Sequence, residues 1–483
     1  MGNQTTRREF INKTTTVGAG LLMCSYCNIC LGQEQQELHE RIQKGSLPIS
    51  PDNPALLYHK ERCRDCARCR EFCRNTAVFE QFVPENKEYC VHCGQCTLYC
   101  PNVITEKFHY QGVANAIADR DKIVVATTAP AIRAAFGEMY GLEPGTNVET
   151  KIVGALKQAG VDYVLDATFS ADLTIMEEAS ELMHRLENRR KKKIKLPMFT
   201  SCCPGWVRYI KLYYPSFIPN LSSVKSPQMM QGALVKTYFA ERMGINPEKI
   251  VHVALMPCTA KKGEILLKGM NAAGVSHKKP AMRDVDYVLT SRELAYLLND
   301  GKVDFLQSQG APYDTLMGRG SGSGMIFGNT GGVMEAALRT AYKVLNGKNP
   351  PADLFEYTPL RGFESVKQST VDLGVAKLNV AVVNGIGRVK SFMEALQSNE
   401  QQFDFIEVMA CPGGCIGGGG QPVAPTMADL AEVKQLRMKA LYQHDNNLEI
   451  RLSCDNPEIK TIYDDFLGKP LGKKSEKLLH VKM

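Results

Sequence analysis

Between residues 115 and 430 the apolar positions follow two rhythms. Short unbroken runs at 122–128, 163–168, 251–256, 287–289, 380–383 and 405–409 are mostly β-branched. A strand covered on both faces needs apolar side chains on both, so such runs predict buried parallel strands. Stretches with helical spacing, such as 172–188 and 332–345, lie between them. Alternating strands and helices predict an α/β domain with parallel sheets. On the helix after residue 172, Glu178, Glu181 and Arg185 stand at i, i+3 and i+7 and so share one face. An i,i+4 surface pair of Glu181 and Arg185 is the plainest reading of them. Residues 431–483 read as a helical C-terminal extension that covers the core.

Composition narrows the class. The chain has 483 residues, 44% hydrophobic and 23% charged, which is enough to bury sizeable cores and excludes global disorder. Runs of about 18 apolar residues are missing, which excludes a multi-span membrane protein, and no solenoid period appears. The net charge of +7 is modest. Arg189, Arg190, Lys191, Lys192, Lys193 and Lys195 form one basic run, read as a solvated loop or a docking face for an acidic electron-transfer partner. Without interleaved aromatic residues it predicts no nucleic-acid binding.

Cysteine usage changes the picture. Seventeen cysteines are too sparse here for a small disulfide scaffold, and eight of them fall between Cys63 and Cys100. Residues 63–73 read C-R-D-C-A-R-C-R-E-F-C and residues 90–101 read C-V-H-C-G-Q-C-T-L-Y-C-P. Each is a C-x2-C-x2-C-x3-C run, the spacing of bacterial two-cluster ferredoxins, in which the fourth cysteine of each run serves the other cluster. Cys63, Cys66, Cys69 and Cys100 are therefore expected to hold one [4Fe–4S] cluster, and Cys90, Cys93, Cys96 and Cys73 the second. The segment 50–110 is expected to be an α+β ferredoxin-like domain. Soft, anionic thiolates suit iron, whereas zinc sites ordinarily show cysteine pairs rather than quartets. Arg74 stands where proline often follows the fourth cysteine, which weakens the turn argument but not the ligand set. His92, inside the second run, is read as a surface residue or one packed behind the ligands.

At the N-terminus, residues 6–12 read T-R-R-E-F-I-N ahead of a short, weakly apolar stretch. Paired arginines in this setting resemble a twin-arginine export signal over residues 1–33. That route carries folded, cofactor-loaded proteins. The expected location is the periplasmic or exported side of the membrane, after assembly in the cytoplasm. A small-x-small cleavage site is not visible, and the chain continues L-L-M-C-S-Y-C-N-I-C. Cys24, Cys27 and Cys30 are open to three readings: loss with a cleaved signal, a lipid on Cys24 attaching the protein to the membrane, or an extra metal or redox site.

Several strand runs end in unusual motifs. Residues 122–128 lead into A-P-A-I-R, 251–256 into M-P-C-T-A-K-K-G-E, and 405–409 into E-V-M-A-C-P-G-G-C-I-G-G-G-G-Q-P. A further motif, T-S-C-C-P-G-W at 200–206, holds the only tryptophan. In open parallel sheets ligands bind beyond the carboxyl ends of strands, so the cysteines of these motifs are expected to converge. One isolated buried cysteine is ordinarily inert, but five flanked by proline and glycine are poorly explained that way. The glycines 417–420 lack a P-loop lysine and are read as allowing close backbone approach to a bulky cofactor.

T-S-C-C-P-G-W, M-P-C-T-A-K-K-G-E and E-V-M-A-C-P-G-G-C-I-G-G-G-G-Q-P, complete and in order, resemble the three signatures of [FeFe]-hydrogenases. With the cysteine runs, the resemblance covers roughly residues 50–483. It implies reversible conversion of 2H⁺ + 2e⁻ to H₂ at an H-cluster, a [4Fe–4S] cube bridged to a two-iron unit with CO, cyanide and an azadithiolate. Two [4Fe–4S] clusters would relay the electrons. By position, Cys203, Cys258, Cys411 and Cys415 would bind the cube, and Cys415 would bridge to the two-iron unit. Cys202 would be the first proton relay. Lys261 would hydrogen-bond one cyanide, with Ala129 and Pro130 lining the other cyanide pocket and Met256 and Met409 packing nearby. Glu264 would pin the Lys261 loop, and residues 328–332 (G-N-T-G-G) resemble a pocket-lining loop. The family's proton path falls on Glu178, Ser222 and Glu181, with Arg185 near its outer end.

The catalytic domain would span 115–430. Residues 431–483, with R-M-K-A-L-Y and F-L-G-K-P, resemble the small-subunit segment that some periplasmic members carry as a separate chain. Cys454 receives no role. Implied partners are H₂ and protons, a ferredoxin or cytochrome, and maturation proteins for the two-iron unit. The alternatives are a hydrogen-sensing H-cluster protein, whose relatives tend to alter the relay cysteine present here as Cys202, and an iron–sulfur assembly protein, whose relatives lack a complete third signature.

Overall fold

The computed structural model describes residues 49–64, 66, 69, 70, 73, 90–191, 194–398, 402–424, 426 and 429–481. The export-type signal, Cys24, Cys27, Cys30, Lys192 and Lys193 lie outside the described residues. In chain order the described strands are β1 (Leu56–Tyr58), β2 (Ile104–Glu106), β3 (Ile123–Thr128), β4 (Tyr163–Asp166), β5 (Met198–Phe199), β6 (Ile250–Leu255), β7 (Tyr287–Leu289), β8 (Val366–Asp372), β9 (Lys377–Asn384) and β10 (Phe405–Met409). β1 and β2 pair antiparallel on either side of the cysteine runs. The rest form two four-stranded sheets with orders β4-β3-β6-β7 and β5-β10-β9-β8. Every pairing in the first is parallel. In the second only β8 runs against its neighbour.

The predicted parallel runs are all present as strands, with three instructive differences. The run 163–168 stops as a strand at Asp166. The Asp166 carboxylate accepts the Thr168 amide proton at 2.9 Å and opens the helix α1 (Ala167–Glu187), five residues before the pattern suggested. β8 (V-K-Q-S-T-V-D) is an edge strand with alternate residues exposed, so it never shows a continuous apolar run. β5 has only two residues, too few to leave a pattern.

Each sheet buries its own core. Ile117, Ile132, Phe136 and Leu156 pack against the first. Trp206, Ile406 and Val408 anchor one face of the second, and the Trp206 indole donates to Thr200 O at 3.1 Å. Among the described residues no helix is long and apolar enough to cross a membrane.

The C-terminal segment begins as the helix α2 (Asp429–Asn447) and is fastened over both sheets. Arg437 grips Glu138 with two bonds, 2.7 and 2.6 Å. Asp172, fully buried on α1, accepts from Ser321 N (2.7 Å), Ser321 Oγ (2.5 Å), Ser453 Oγ (2.7 Å) and Asn456 Nδ2 (2.9 Å). Backbone bonds from Lys225 N to Leu479 O and from Val481 N to Ser223 O, both 2.8 Å, hold the last turn of chain against residues 223–225.

Removing a shared buried acceptor strands several donors at once. Asp172→Ala is expected to cost about 2–4 kcal/mol, read by chemical denaturation. It should also expose residues 450–460 to protease. A change within about 0.5 kcal/mol, the range of an ordinary surface substitution, would show that Asp172 does not fasten the segment.

Candidate active site

The carboxyl ends of four parallel strands open on one cavity. β3 runs into Ala129 and Pro130, β6 into Met256, Pro257 and Cys258, β10 into Met409, and β5, by way of Thr200 and Ser201, into Cys202 and Cys203. These residues, with Ala131, Ala167, Ala171, Gln228, Phe327, Gly328, Lys261 and Cys415, line about 580 Å³ of space. Crossing the ends of two separate sheets is what lets distant motifs meet. Cys203 sits at the N-cap of the helix Pro204–Tyr213, and its sulfur accepts the Ala410 amide at 3.4 Å. Cys415 opens a short 3-10 turn, Cys415–Gly417. Gly414 reaches it at φ +91°, where a Cβ would lie 2.6 Å from the Thr330 nitrogen.

The thiols share one electrostatic environment. Burial pushes Cys258 up to about 12, with Cys203 adding to the shift. Burial raises Cys411 strongly, and Cys258, Cys203 and Cys415 add to it. Cys415 is raised by burial and then by Cys203 and Cys258. For Cys203 the burial effect is tempered by the Ala410 amide. Cys202 is also raised, by burial, then by Glu178, Cys203 and Cys415. Four thiols gathered this closely can hold an iron–sulfur cube, provided that the metal stabilises them as thiolates.

Lys261 supplies the positive charge in the lining. Burial works against its ammonium, but Glu264, and then Cys258 and Cys202, more than offset this and raise its pKa. Nζ donates to Glu264 Oε2 at 2.9 Å and to Cys202 O at 3.1 Å. An ammonium has three protons, so one remains for the cavity. Gln228 Nε2 braces the same corner through Glu264 Oε2 (3.2 Å) and Lys261 O (3.3 Å). Glu264 thus pins the loop, as expected. An anionic ligand in an otherwise apolar chamber fits this lysine.

A line of polar groups leads from Cys202 to the surface. Both oxygens of Glu178 are buried without a hydrogen-bond partner among the described residues. Burial, reinforced by Glu181, lifts this carboxyl to about 8, while nearby Ser222 restrains the shift. Ser222 Oγ donates to Glu181 Oε2 at 3.1 Å. Arg185 clasps Glu181 Oε1 from Nε (3.0 Å) and Nη2 (2.6 Å) and donates to Leu221 O at 2.7 Å. The pair is therefore largely buried and cross-linked to a second segment, unlike the surface pair that spacing alone suggests.

The cysteines of the N-terminal runs divide only in part as their spacing implies, because Cys69, expected beside Cys100, stands among the neighbours of Cys96. Burial and then Cys66 and Cys63 raise Cys100. Burial and then Cys90, Cys73 and Cys69 raise Cys96. Cys93 is raised by burial and next by Cys411 of the cavity, ahead of Cys73 and Cys96. Cys66 is exposed whereas Cys93 and Cys96 are buried.

The seam between the runs and the cavity is built from backbone. Gln95 Nε2 donates to Gly417 O at 2.8 Å and Thr97 Oγ1 to Gly419 O at 2.9 Å. Thr259 Oγ1 donates to His92 O at 2.7 Å.

One reading needs correction here. The glycines 417–420 do not line the cavity. Their close approach is to other backbone: a Cβ on Gly419 would meet Cys93 O at 2.3 Å, and one on Gly418 would meet Pro257 O at 2.2 Å. Of the two readings of His92, the packed one fits: the residue is buried against Gly263 of the Lys261 turn, and its amide donates to Cys90 Sγ at 3.4 Å. Gln228, Phe327 and the buried Glu407 went unnoticed in the sequence. Glu407 holds residues 331–334 by accepting from Gly331 N (2.6 Å) and Met334 N (2.8 Å). A glutamate within the apolar run 405–409 was the one signal available for it.

Residues 122–419 match the family model described as iron only hydrogenase large subunit, C-terminal domain, and residues 431–482 match iron hydrogenase small subunit. Iron hydrogenase 1 of Clostridium pasteurianum is 42% identical over 380 residues, covering 78% of this chain. The chain spans 64% of that protein's length. The periplasmic [Fe] hydrogenase large subunit of Nitratidesulfovibrio vulgaris is 40% identical over 385 residues, covering 78% of this chain and 89% of its own. The solved structure of [FeFe]-hydrogenase HydA1 from Chlamydomonas reinhardtii, in a variant form, superposes with a TM-score of 0.66 at 38% identity, over 76% of this chain and 98% of that one.

Glu178 gives a stability signature that needs no turnover. Its carboxyl goes from 4.5 to about 8 on folding, so between these values the folded state keeps a proton that the unfolded state has lost. Stability therefore falls as pH rises through that window. Glu178→Gln should abolish this fall, melting close to wild type near the lower limit and above it near the upper. Parallel melting curves for the two proteins would refute the burial argument.

Proposed function

The chain belongs to the iron-only hydrogenase family, and from that premise we propose that it catalyses the reversible reduction of protons to hydrogen, 2H⁺ + 2e⁻ to H₂. The observation that carries the proposal is the junction of four cysteines, the buried Cys258 and Cys411 and the half-buried Cys203 and Cys415, with a fifth thiol, Cys202, at the head of a polar line to the surface. The donor set fits an H-cluster: soft thiols for iron, apolar walls from Ala129, Pro130, Met256 and Met409, and the unused Lys261 proton for an anionic ligand. When bound, that cluster supplies the redox centre at which protons and electrons combine.

The chain's own residues manage protons and exclude water. Cys202 holds a proton on Sγ at the cavity wall and exchanges it with Glu178. Burial keeps the Glu178 carboxyl protonated at neutral pH, so it can donate inward and refill from outside. Ser222 Oγ passes protons between Glu178 and Glu181 Oε2, and Arg185 fixes Glu181 at the outer end.

For electrons, we propose a two-cluster ferredoxin-like unit over 50–110, with Cys63, Cys66, Cys69 and Cys100 on the outer cluster and Cys90, Cys93, Cys96 and Cys73 on the inner one. The exposure of Cys66 and the proximity of Cys93 to Cys411 support this order. A ferredoxin or cytochrome would dock at the outer end. Maturation proteins supply the two-iron unit. A periplasmic relative and the paired arginines support export, with residues 115–430 as catalytic domain and 431–483 as a fused small-subunit segment.

Hydrogen evolution from a reduced viologen dye, on anaerobically matured protein with its iron counted, tests the reading. Cys202→Ala and Glu178→Gln should each lower turnover by about 10²-fold or more at unchanged iron content. Absence of evolution from fully loaded wild type would favour the sensing alternative, and full activity in Glu178→Gln would remove that residue from the path. Cys100→Ser should lose one cluster's iron and slow dye-driven turnover while leaving the H-cluster signals intact.

A further inference from the structure

The polar line does not end at Arg185. Glu181 Oε2 also accepts from Ser223 Oγ at 3.0 Å, and Ser223 Oγ lies 2.8 Å from Nδ1 of His480. His480 comes from the C-terminal segment and is held there by backbone pairing of Val224 with His480. Its Nε2 lies 3.0 Å from Oε2 of Glu177, a fully buried carboxylate. Glu177 already accepts from Tyr463 OH (2.6 Å) and Leu471 N (2.8 Å). His480 and Glu181 both line an open surface pocket, together with His184, Arg185 and Glu476. The His480 side chain is 8% exposed and Glu177 is 0% exposed.

Ser223 has one hydroxyl proton and two acceptors in reach, Glu181 Oε2 and His480 Nδ1. Glu177 offers only acceptors, so Nε2–H donates to it. When the Ser223 proton goes to Glu181, Nδ1–H donates to Ser223 Oγ and the ring holds a proton to pass on. The charged groups facing the ring are Glu177 and Glu181 on α1, with Arg185 and Glu476 farther out. We propose that His480 is a second proton-loading residue at the mouth of the path, supplied by the C-terminal segment. The proposal rests on the hydrogenase reading above.

The transfer balances. The Nδ1–H proton moves to Ser223 Oγ as the Ser223 hydroxyl proton moves to Glu181 Oε2. Reloading needs Nδ1 to swing off Ser223 and take a proton from water or buffer acid in the pocket that the ring lines, after which it returns to Ser223; for hydrogen uptake the same hops run outward. Glu177 steadies the ring without transferring anything.

The test uses matured full-length protein, assayed for hydrogen evolution from reduced viologen in dilute buffer at fixed pH. Ser223→Ala and His480→Ala should each lower turnover about tenfold, less than loss of a sole acid–base group because the Arg185 side stays open. Iron content should match wild type, Ser223→Ala should melt near wild type, and His480→Ala should melt lower because Glu177 loses a donor. Added imidazoles should restore His480→Ala in proportion to their acid strength, a dependence that mere cavity filling would not produce, and should leave Ser223→Ala slow. Wild-type turnover in both variants, or rescue insensitive to imidazole acidity, would overturn the proposal.

Nitrogen-15 spectra of the histidine-labelled chain, with His480 assigned through His480→Gln, give an answer independent of turnover. Two protonated ring nitrogens are expected, and a neutral ring would overturn the assignment. An inactive, fully loaded wild type would overturn the hydrogenase reading instead.

Discussion

Burial of sulfur is the constraint around which this molecule is arranged. Every thiol at the cavity is pushed toward its neutral form by loss of water, and for Cys202, Cys258, Cys411 and Cys415 neighbouring thiols push further, while amides temper the effect at Cys203. A dry chamber of neutral thiols is stable but chemically idle. Ionising them requires positive charge from outside the protein's own side chains, because the cation in the lining is a single lysine already engaged with Glu264. Iron meets that requirement, and its binding is then coupled to proton release. On the proposed function, the apolar walls, the braced lysine and the narrow polar line keep water out of this chamber while letting protons through.

Glu181 is where the two halves of that compromise meet. It is tied to Arg185, Ser222 and Ser223 and lies at the floor of an open pocket. One turn inward, Glu178 has no hydrogen-bond partner for either oxygen among the described residues. The contrast is one of surroundings: a carboxylate met by several donors near water, then one that burial pushes toward its neutral form.

The chemistry was more legible in the sequence than its surroundings, for a physical reason. Iron ligation demands particular residue types at particular spacing, so the cysteine motifs stand out, and the structure brings Cys203, Cys258, Cys411 and Cys415 into one electrostatic environment. Continuous apolar runs exposed the central strands equally well. β8 stayed hidden because an edge strand alternates, and the start of α1 was misplaced because the Asp166 cap is a matter of one side chain. Gln228, Ser223 and His480 are ordinary residues whose roles arise only from contacts across long stretches of chain. The glycines 417–420 showed that close approach was needed but not to what, and the answer is the backbone around Cys93 and Pro257.

The C-terminal segment matches a family model named for a small subunit, yet here it begins within α2 and continues the same polypeptide. Fusion replaces an association constant with a loop-closure free energy, which varies only slowly with linker length. Dilution, which drives two subunits apart by mass action, has no such leverage on a covalently joined segment. Arg437, Asn456 and His480 therefore face their partners at an effective concentration set by the chain itself, and protomer concentration drops out of the equilibrium that seats them.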